Sequence, residues 1–207
     1  MREILTLDVG GDANRSYCLF DSESRTAWCV DPSYGAVQVM AVCAKRGLRL
    51  TEIFLTHTHA DHMATLPELV SATCARVWVH PLELARVPMA TPIPSEGLLP
   101  GVSGVEVIFS PGHTPGGTCY RVGTALFTGD VLFVDWVGRC DFPGGDSRDL
   151  FQSLARLRSL PPELAIYPGH HYGTVESRCL GEEKQLNKFL SCRDYGTFLR
   201  LLPELAG

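Results

Sequence analysis

The chain of 207 residues is 45% hydrophobic, 20% charged and 9% aromatic, with a formal net charge of −5, the balance of an ordinary globular protein. Its 23 Asp and Glu against 18 Lys and Arg leave no excess of positive charge for a phosphate backbone, and no window approaches the ~18 consecutive apolar residues of a membrane span. Nucleic acid and membrane are therefore not expected as partners. With no basic and then apolar leader at its start, the chain reads as a cytoplasmic protein of one domain over residues 1–207.

In chain order, β-rich runs at Glu3 to Asp8, Ser16 to Phe20 and Thr26 to Val30, parted by turn residues, predict a meander. Helical spacing over Gly35 to Lys45 ends at Gly47, a C-terminal capping position, and a strand follows from Glu52 to Thr56. The pattern then predicts a helix over Ala60 to Thr73, a strand over Arg76 to Val79 and an irregular Pro-rich loop from Pro88 to Pro100. Strands at Val105 to Phe109, Thr118 to Val122, Ala125 to Phe127 and Ala165 to Tyr167 surround a helix over Arg148 to Leu157, capped near Asp146 or Ser147. A last helix is expected from about Leu180 to Leu190, with a short one near the end. Interleaved strands and helices predict an α/β domain with helices outside sheet. The eight cysteines include no C-x-x-C pair and most of them read as reduced, buried thiols; Cys140, beside a motif described below, stays open as a site of oxidation.

Six of the seven histidines fall in three short segments, Thr56-His57-Thr58-His59-Ala60-Asp61-His62, Pro111-Gly112-His113-Thr114-Pro115-Gly116 and Pro168-Gly169-His170-His171-Tyr172-Gly173. Each segment follows an apolar strand, as does Thr128-Gly129-Asp130, and strand C-terminal ends are where α/β sheets place their sites. Extended backbone sends residues i and i+2 to one side, so His57 and His59 can grip one ion while Asp61 and His62 face another. The ligand count fits a binuclear centre: His57, His59 and His113 on one ion, Asp61, His62 and His170 on the other, and Asp130 able to bridge. Imidazole and carboxylate suit zinc, iron or manganese. Two divalent ions about 3.5 to 4 Å apart hold a hydroxide between them and polarise a carbonyl oxygen, so no serine or cysteine nucleophile is needed. His80, before Pro81, reads as a packed or surface residue, and His171 is ambiguous.

T-H-T-H-A-D-H (56 to 62), P-G-H-T-P-G (111 to 116), F-T-G-D (127 to 130) and Y-P-G-H (167 to 170), in that order, resemble the metallo-β-lactamase superfamily up to about Leu190. The resemblance implies a four-layer αβ/βα sandwich and carries the family's metal ligands onto His57, His59, Asp61, His62, His113, Asp130 and His170, with Asp61 and Asp130 also catalytic. Asp130 followed by Val137-Gly138-Arg139-Cys140-Asp141-Phe142 looks like the glyoxalase II branch. That branch implies a thioesterase acting on S-acylglutathione-type substrates with two ions, zinc first and iron or manganese as alternatives. Residues matching Arg139 and Tyr172 would hold the glutathione part; the competing readings are a surface ion pair of Arg139 with Asp141 or Asp146, and a packing role for Tyr172. The sequence is not expected to hold the C-terminal helical domain of the larger glyoxalase II enzymes, and Asp141 to Asp146 looks like the shorter bacterial forms.

H-A-D-H, G-R-x-D-F and Gly181-Glu182-Glu183-Lys184 are also similar to the persulfide dioxygenases, which use one iron on residues matching His57, His113 and Asp130. Those enzymes usually carry alanine where Gly169 stands, which favours the hydrolase. The superfamily's RNA-processing nucleases would bring basic surfaces or extra domains, and a non-catalytic binding module fits poorly with a complete ligand set. Oligomeric state is not legible.

Overall fold

A computed structural model describes residues 2–206, and the chain divides into two units, residues 1–93 and 94–207. In the first, strands β1 (Glu3–Gly10), β2 (Asn14–Asp21) and β3 (Thr26–Val30) form the expected antiparallel meander. Helix α1 (Ala36–Arg46) then carries the chain to β4 (Arg49–Phe54), and α2 (Leu66–Thr73) carries it to β5 (Arg76–Val79). Both are crossovers between parallel strands, and the short β6 (Thr91–Pro92) closes a sheet ordered β1-β2-β3-β4-β5-β6. Gly47 ends α1 in the left-handed conformation, as its place in the sequence predicts.

Alternate side chains build this unit's core. Cys18, Phe20, Ala27, Cys29, Ile53, Val77 and Val79 share one face of the sheet, and Val39 and Cys43 of α1 with Leu66 and Leu69 of α2 pack on it. The intervening residues Tyr17, Leu19, Trp28, Val30, Phe54 and Trp78 are buried as well, so these strands read as apolar runs rather than alternations.

In the second unit β7 (Glu96–Leu98), β8 (Val105–Phe109), β9 (Thr118–Val122) and β10 (Ala125–Gly129) pair antiparallel in sequence, and β11 (Ala165–Pro168) joins β10 in parallel. The crossover is α3 (Ser147–Ser159), whose first turn is capped by Asp146: its carboxylate accepts from the Arg148 and Asp149 amides at 2.8 and 2.9 Å. Leu150, Leu154 and Leu157, one face of α3, pack with Ile108, Cys119, Leu126 and Ile166 of the sheet. Helices α4 (Leu180–Leu186), α5 (Lys188–Ser191) and α6 (Tyr195–Leu201) complete this unit and add Leu180, Phe189, Leu190 and Phe198 to the same core.

Three expected elements take another form. The helix over Ala60 to Thr73 is a short 3₁₀ turn, Ala60–His62, followed by α2, because Pro67 suits only a first helical turn and Thr65 is tied to the start of α1. The Thr65 hydroxyl donates to the Ser33 carbonyl at 2.8 Å and accepts from the Ala36 amide at 3.0 Å. The loop from Pro88 to Pro100 contains β6 and β7; β6 is an edge strand, where Pro92 loses no ladder bond that the sheet needs. The helix from Leu180 to Leu190 breaks at Asn187, whose side chain turns back to accept from the Phe189 and Leu190 amides at 3.0 and 3.1 Å.

All eight cysteines are free; Cys18, Cys29, Cys43, Cys119 and Cys192 are buried, and Cys74 is exposed. Burial pushes the Cys43 thiol up to about 11 and the Cys119 thiol to about 12. Among the described residues no helix is long and apolar enough to cross a membrane.

Candidate metal centre

Strand direction decides which residues meet. In the first unit β3, β4 and β5 run parallel, so Asp31, His57 and His80, which follow them, emerge at one end of the sheet. Because β2 runs against β3, its first residue Asn14 lies at that end too. In the second unit β8 and β10 run the same way on either side of β9, and β11 is parallel to β10, so His113, Asp130 and His170 also leave from one end. Four of the sequence-predicted ligands thus gather within the first unit and three within the second.

In the first cluster the ring centroids of His57 lie 4.7 Å from those of His59 and 4.1 Å from those of His62. His57 and His62 are buried, and His59 and Asp61 are partly buried. Asp31, His57 and His62 each bring a ligand atom within 4.8 Å of the others. Asp31, however, is engaged as a support: it accepts from the Thr56 amide at 2.8 Å, the Thr56 hydroxyl at 2.6 Å and His62 Nδ1 at 3.0 Å. The fully buried Asn14 donates through Nδ2 to Asp61 Oδ2 at 2.8 Å, which fixes that carboxylate beside His62 Nε2, 3.6 Å away.

In the second cluster the carboxylate of Asp130 lies between two imidazoles, its Oδ2 3.5 Å from His113 Nε2 and 3.3 Å from His170 Nε2. All three residues are buried. Two glycines allow this approach. A Cβ on Gly112, at φ 132°, would overlap the backbone of Leu150 on α3, and one on Gly138 would overlap the Asp130 carbonyl oxygen. His113 Nδ1 donates to the Arg139 carbonyl at 2.6 Å, so the Gly138-Arg139 backbone orients the ring.

These hydrogen bonds set tautomers, and the tautomers fit a cation. Thr56 gives its one hydroxyl proton to Asp31, so it can only accept from His57 Nδ1, 3.1 Å away. His62 Nδ1 faces a carboxylate and His113 Nδ1 a carbonyl, both acceptors. In the neutral form of each ring Nδ1 therefore carries the proton and Nε2 presents a lone pair, the arrangement in which metal-binding histidines are held by a carboxylate or carbonyl behind them. The residues present fit the divalent ions that the sequence implies.

The expected substrate residues are placed less simply. The Arg139 guanidinium closes on Asp141, Nε to Oδ1 at 3.0 Å and Nη2 to Oδ2 at 2.7 Å, and stands over the Phe142 ring, which meets His113 edge-on at 5.8 Å. This is the surface ion pair weighed against a substrate role; the Arg139 hydrogen bond holds the Asp141 carboxyl below its usual range. Tyr172 stacks on His170 with centroids 4.8 Å apart and rings within 13° of parallel, and it meets Phe133 at 5.0 Å. Burial, with Asp141 and Asp146 nearby, pushes the Cys140 thiol up, which disfavours the thiolate that oxidation needs. His80 is buried and packed, its Nδ1 accepting from the Leu82 amide at 3.3 Å, and His171 is exposed.

Asp31, Asn14 and Thr56 escape a search for ligand-type spacing because none is expected to touch an ion. Asp31 does carry a signal: like Asp130 it is a polar residue directly after an apolar strand. It also holds φ at 45°, a costly conformation for a residue other than glycine.

Mixed sheets flanked by helices, with histidine and carboxylate clusters at strand ends, define an α/β protein of metal-ligating type. The metallo-beta-lactamase superfamily domain matches residues 30–170, and the chain belongs to that superfamily and has its fold. It is 35% identical over 181 residues to a hydroxyacylglutathione hydrolase of Cereibacter sphaeroides, covering 85% of this chain and 69% of the relative. It is 29% identical over 183 residues to the probable polyketide biosynthesis zinc-dependent hydrolase PksB of Bacillus subtilis, covering 86% and 81%. The crystal structure of ETHE1 from Myxococcus xanthus superposes with a TM-score of 0.83 at 29% identity, covering 99% of this chain and 91% of that one. These likenesses support the glyoxalase II-like branch.

Proposed function

We propose that the two clusters together hold a dinuclear metal centre and that the chain hydrolyses a thioester of the S-acylglutathione type. His57, His59 and His113 would hold one ion, Asp61, His62 and His170 the other, with Asp130 shared; zinc is the first candidate, and iron or manganese fit the same donors. The observation that carries this reading is the set of tautomers, three Nε2 lone pairs fixed by acceptors on Nδ1. When bound, such ions supply a nucleophilic water at neutral pH and polarise the carbonyl oxygen.

This chain's residues then have definite work. Asp61, held by Asn14, orients the attacking water. The departing thiolate needs no strong acid. Arg139 binds a substrate carboxylate by exchanging it for Asp141, a swap between two bidentate pairs at an exposed position. Tyr172, its ring fixed on His170 and its edge exposed, offers a phenol to the peptide of the substrate.

The second reading, persulfide oxidation on one iron, is supported by the resemblance of the segments His59–His62, Gly138–Phe142 and Gly181–Lys184 and by the likeness to the ETHE1 structure. The Gly181–Lys184 segment has a sufficient structural reason: Glu183 is fully buried, accepting from the Asp135 amide at 2.6 Å, Asn187 Nδ2 at 2.9 Å and Arg178 Nη1 at 3.0 Å. Elemental analysis of protein purified without added metal, with hydrolysis of an S-acylglutathione and oxygen uptake on glutathione persulfide, separates the two. About two equivalents of metal with thioester turnover, both lost in Asp130→Ala, is the expected result. One equivalent of iron with oxygen uptake and no thioester turnover refutes the hydrolase.

A further inference from the structure

Burial is inverted in the 3₁₀ turn Pro81–Arg86. Leu82 is 62% exposed while its neighbour Glu83 is 5% exposed, although an apolar residue inside and an acid outside is the cheaper arrangement. His80 sets up the turn: its Nδ1 accepts from the Leu82 amide at 3.3 Å and its carbonyl from the Glu83 amide at 2.9 Å. Pro81, which suits a first helical position, follows. The turn delivers the Glu83 carboxylate to the buried hydroxyl of Thr58, which donates to Glu83 Oε2.

Thr58 lies between His57 and His59. The His57 and His59 ring centroids lie 4.7 Å apart, and the threonines Thr56 and Thr58 alternate with them along the segment. Each of these hydroxyls donates to a buried carboxylate, Thr56 to Asp31 and Thr58 to Glu83. Topology accounts for the symmetry. Strand β4, which feeds the histidine segment, lies between β3 and β5; Asp31 follows β3 and Glu83 follows β5. The segment is thus braced by one carboxylate from each neighbouring strand end.

We propose that Glu83, acting through Thr58, is a positioning residue that aligns His57 and His59 as a pair for metal. This rests on the metal reading above. Loss of the Thr58 contact would remove one of the two carboxylate braces on the segment that carries both rings, and supports of this kind change metal affinity by roughly 10- to 100-fold. The role is distinct from folding, because it predicts a loss in metal binding that stability alone does not mirror.

The test measures zinc affinity, by competition with a chromophoric chelator, together with the melting temperature of the metal-free protein. Thr58→Val and the double variant Thr58→Val/Glu83→Leu should bind zinc roughly 10- to 100-fold more weakly. The double variant replaces both hydrogen-bonding partners by apolar groups, which keeps the fold where a single change would strand a buried carboxylate. Thr58→Ser and Glu83→Gln, which keep a donor and an acceptor, should bind zinc within about threefold of wild type. Zinc affinity unchanged in both Thr58→Val and the double variant, whatever their melting temperatures, overturns the positioning role alone. Wild-type protein that binds no zinc overturns the metal reading, and the positioning role falls with it.

Discussion

Replacing Asp31 by Asn tests whether histidine tautomers, rather than the mere presence of histidines, make the first cluster fit for metal. Asp31 Oδ1 accepts the Thr56 amide proton, while Oδ2 accepts from both the Thr56 hydroxyl and His62 Nδ1. An asparagine can keep its oxygen on the amide, and its NH₂ then faces His62 Nδ1. That nitrogen must become the acceptor, its proton moves to Nε2, and the lone pair beside Asp61 is lost. In the other orientation the NH₂ faces the Thr56 amide, a buried donor against a donor, at a cost of about 1–3 kcal/mol. Either way zinc affinity should fall by roughly 10- to 100-fold, about 1.4–2.8 kcal/mol, with a larger loss from the metal-bound than from the metal-free protein's stability. Chelator competition measures the first effect, and nitrogen-15 NMR of the imidazoles reads the His62 tautomer directly. Asp31→Asn protein that binds zinc within twofold of wild type, with the His62 proton still on Nδ1, refutes the argument.

The substrate loop is tested by a pair of changes with opposite signs. Arg139→Ala should raise KM for an S-acylglutathione with kcat nearly unchanged, while Asp141→Ala, which frees the guanidinium, should lower KM; equal kcat losses in both would refute the exchange. Acid stability is tested at Asp135. Burial pushes its carboxyl up, but hydrogen bonds from Arg178 and Thr174 and the Arg178 charge outweigh this and hold it below the ordinary value. The stability it contributes is complete above about pH 4 and is lost as pH falls through the depressed value. Asp135→Asn should therefore lower the melting temperature at neutral pH and flatten its decline in acid, which a melting series from about pH 7 to pH 3 would check.

Most elements were legible because periodicity and punctuation agreed. Gly47 stops α1, and Asp146 starts α3, by rules that act within a few residues. The misreadings arose where a local rule met a longer-range one. Apolar spacing ran on through Asn187, yet that side chain bonds to Trp136 and Glu183 as well as to the two α5 amides, and these four hydrogen bonds outweigh a helical turn. Across Ala60 to His62 the histidine segment and Asn14 decide the backbone before propensity does. In the site, residues of ligand type were visible as residue types at strand ends. Their supports were not, since Asp31, Thr56 and Glu83 are recognisable only by which neighbour they face, and strand order alone brings them there.

The distribution of thiols has a practical consequence. Five cysteines are sealed in the cores, two are partly covered, and Cys74 stands exposed just after α2, where the chain enters β5. That is the N-terminal end of the strand, whereas the histidines of the same unit leave from the C-terminal ends. A maleimide dye or spin label under mild conditions would therefore fall first on Cys74, at the opposite end of the sheet from His57. The native sequence thus offers its own attachment point for a reporter that can follow metal binding without touching the groups that bind it.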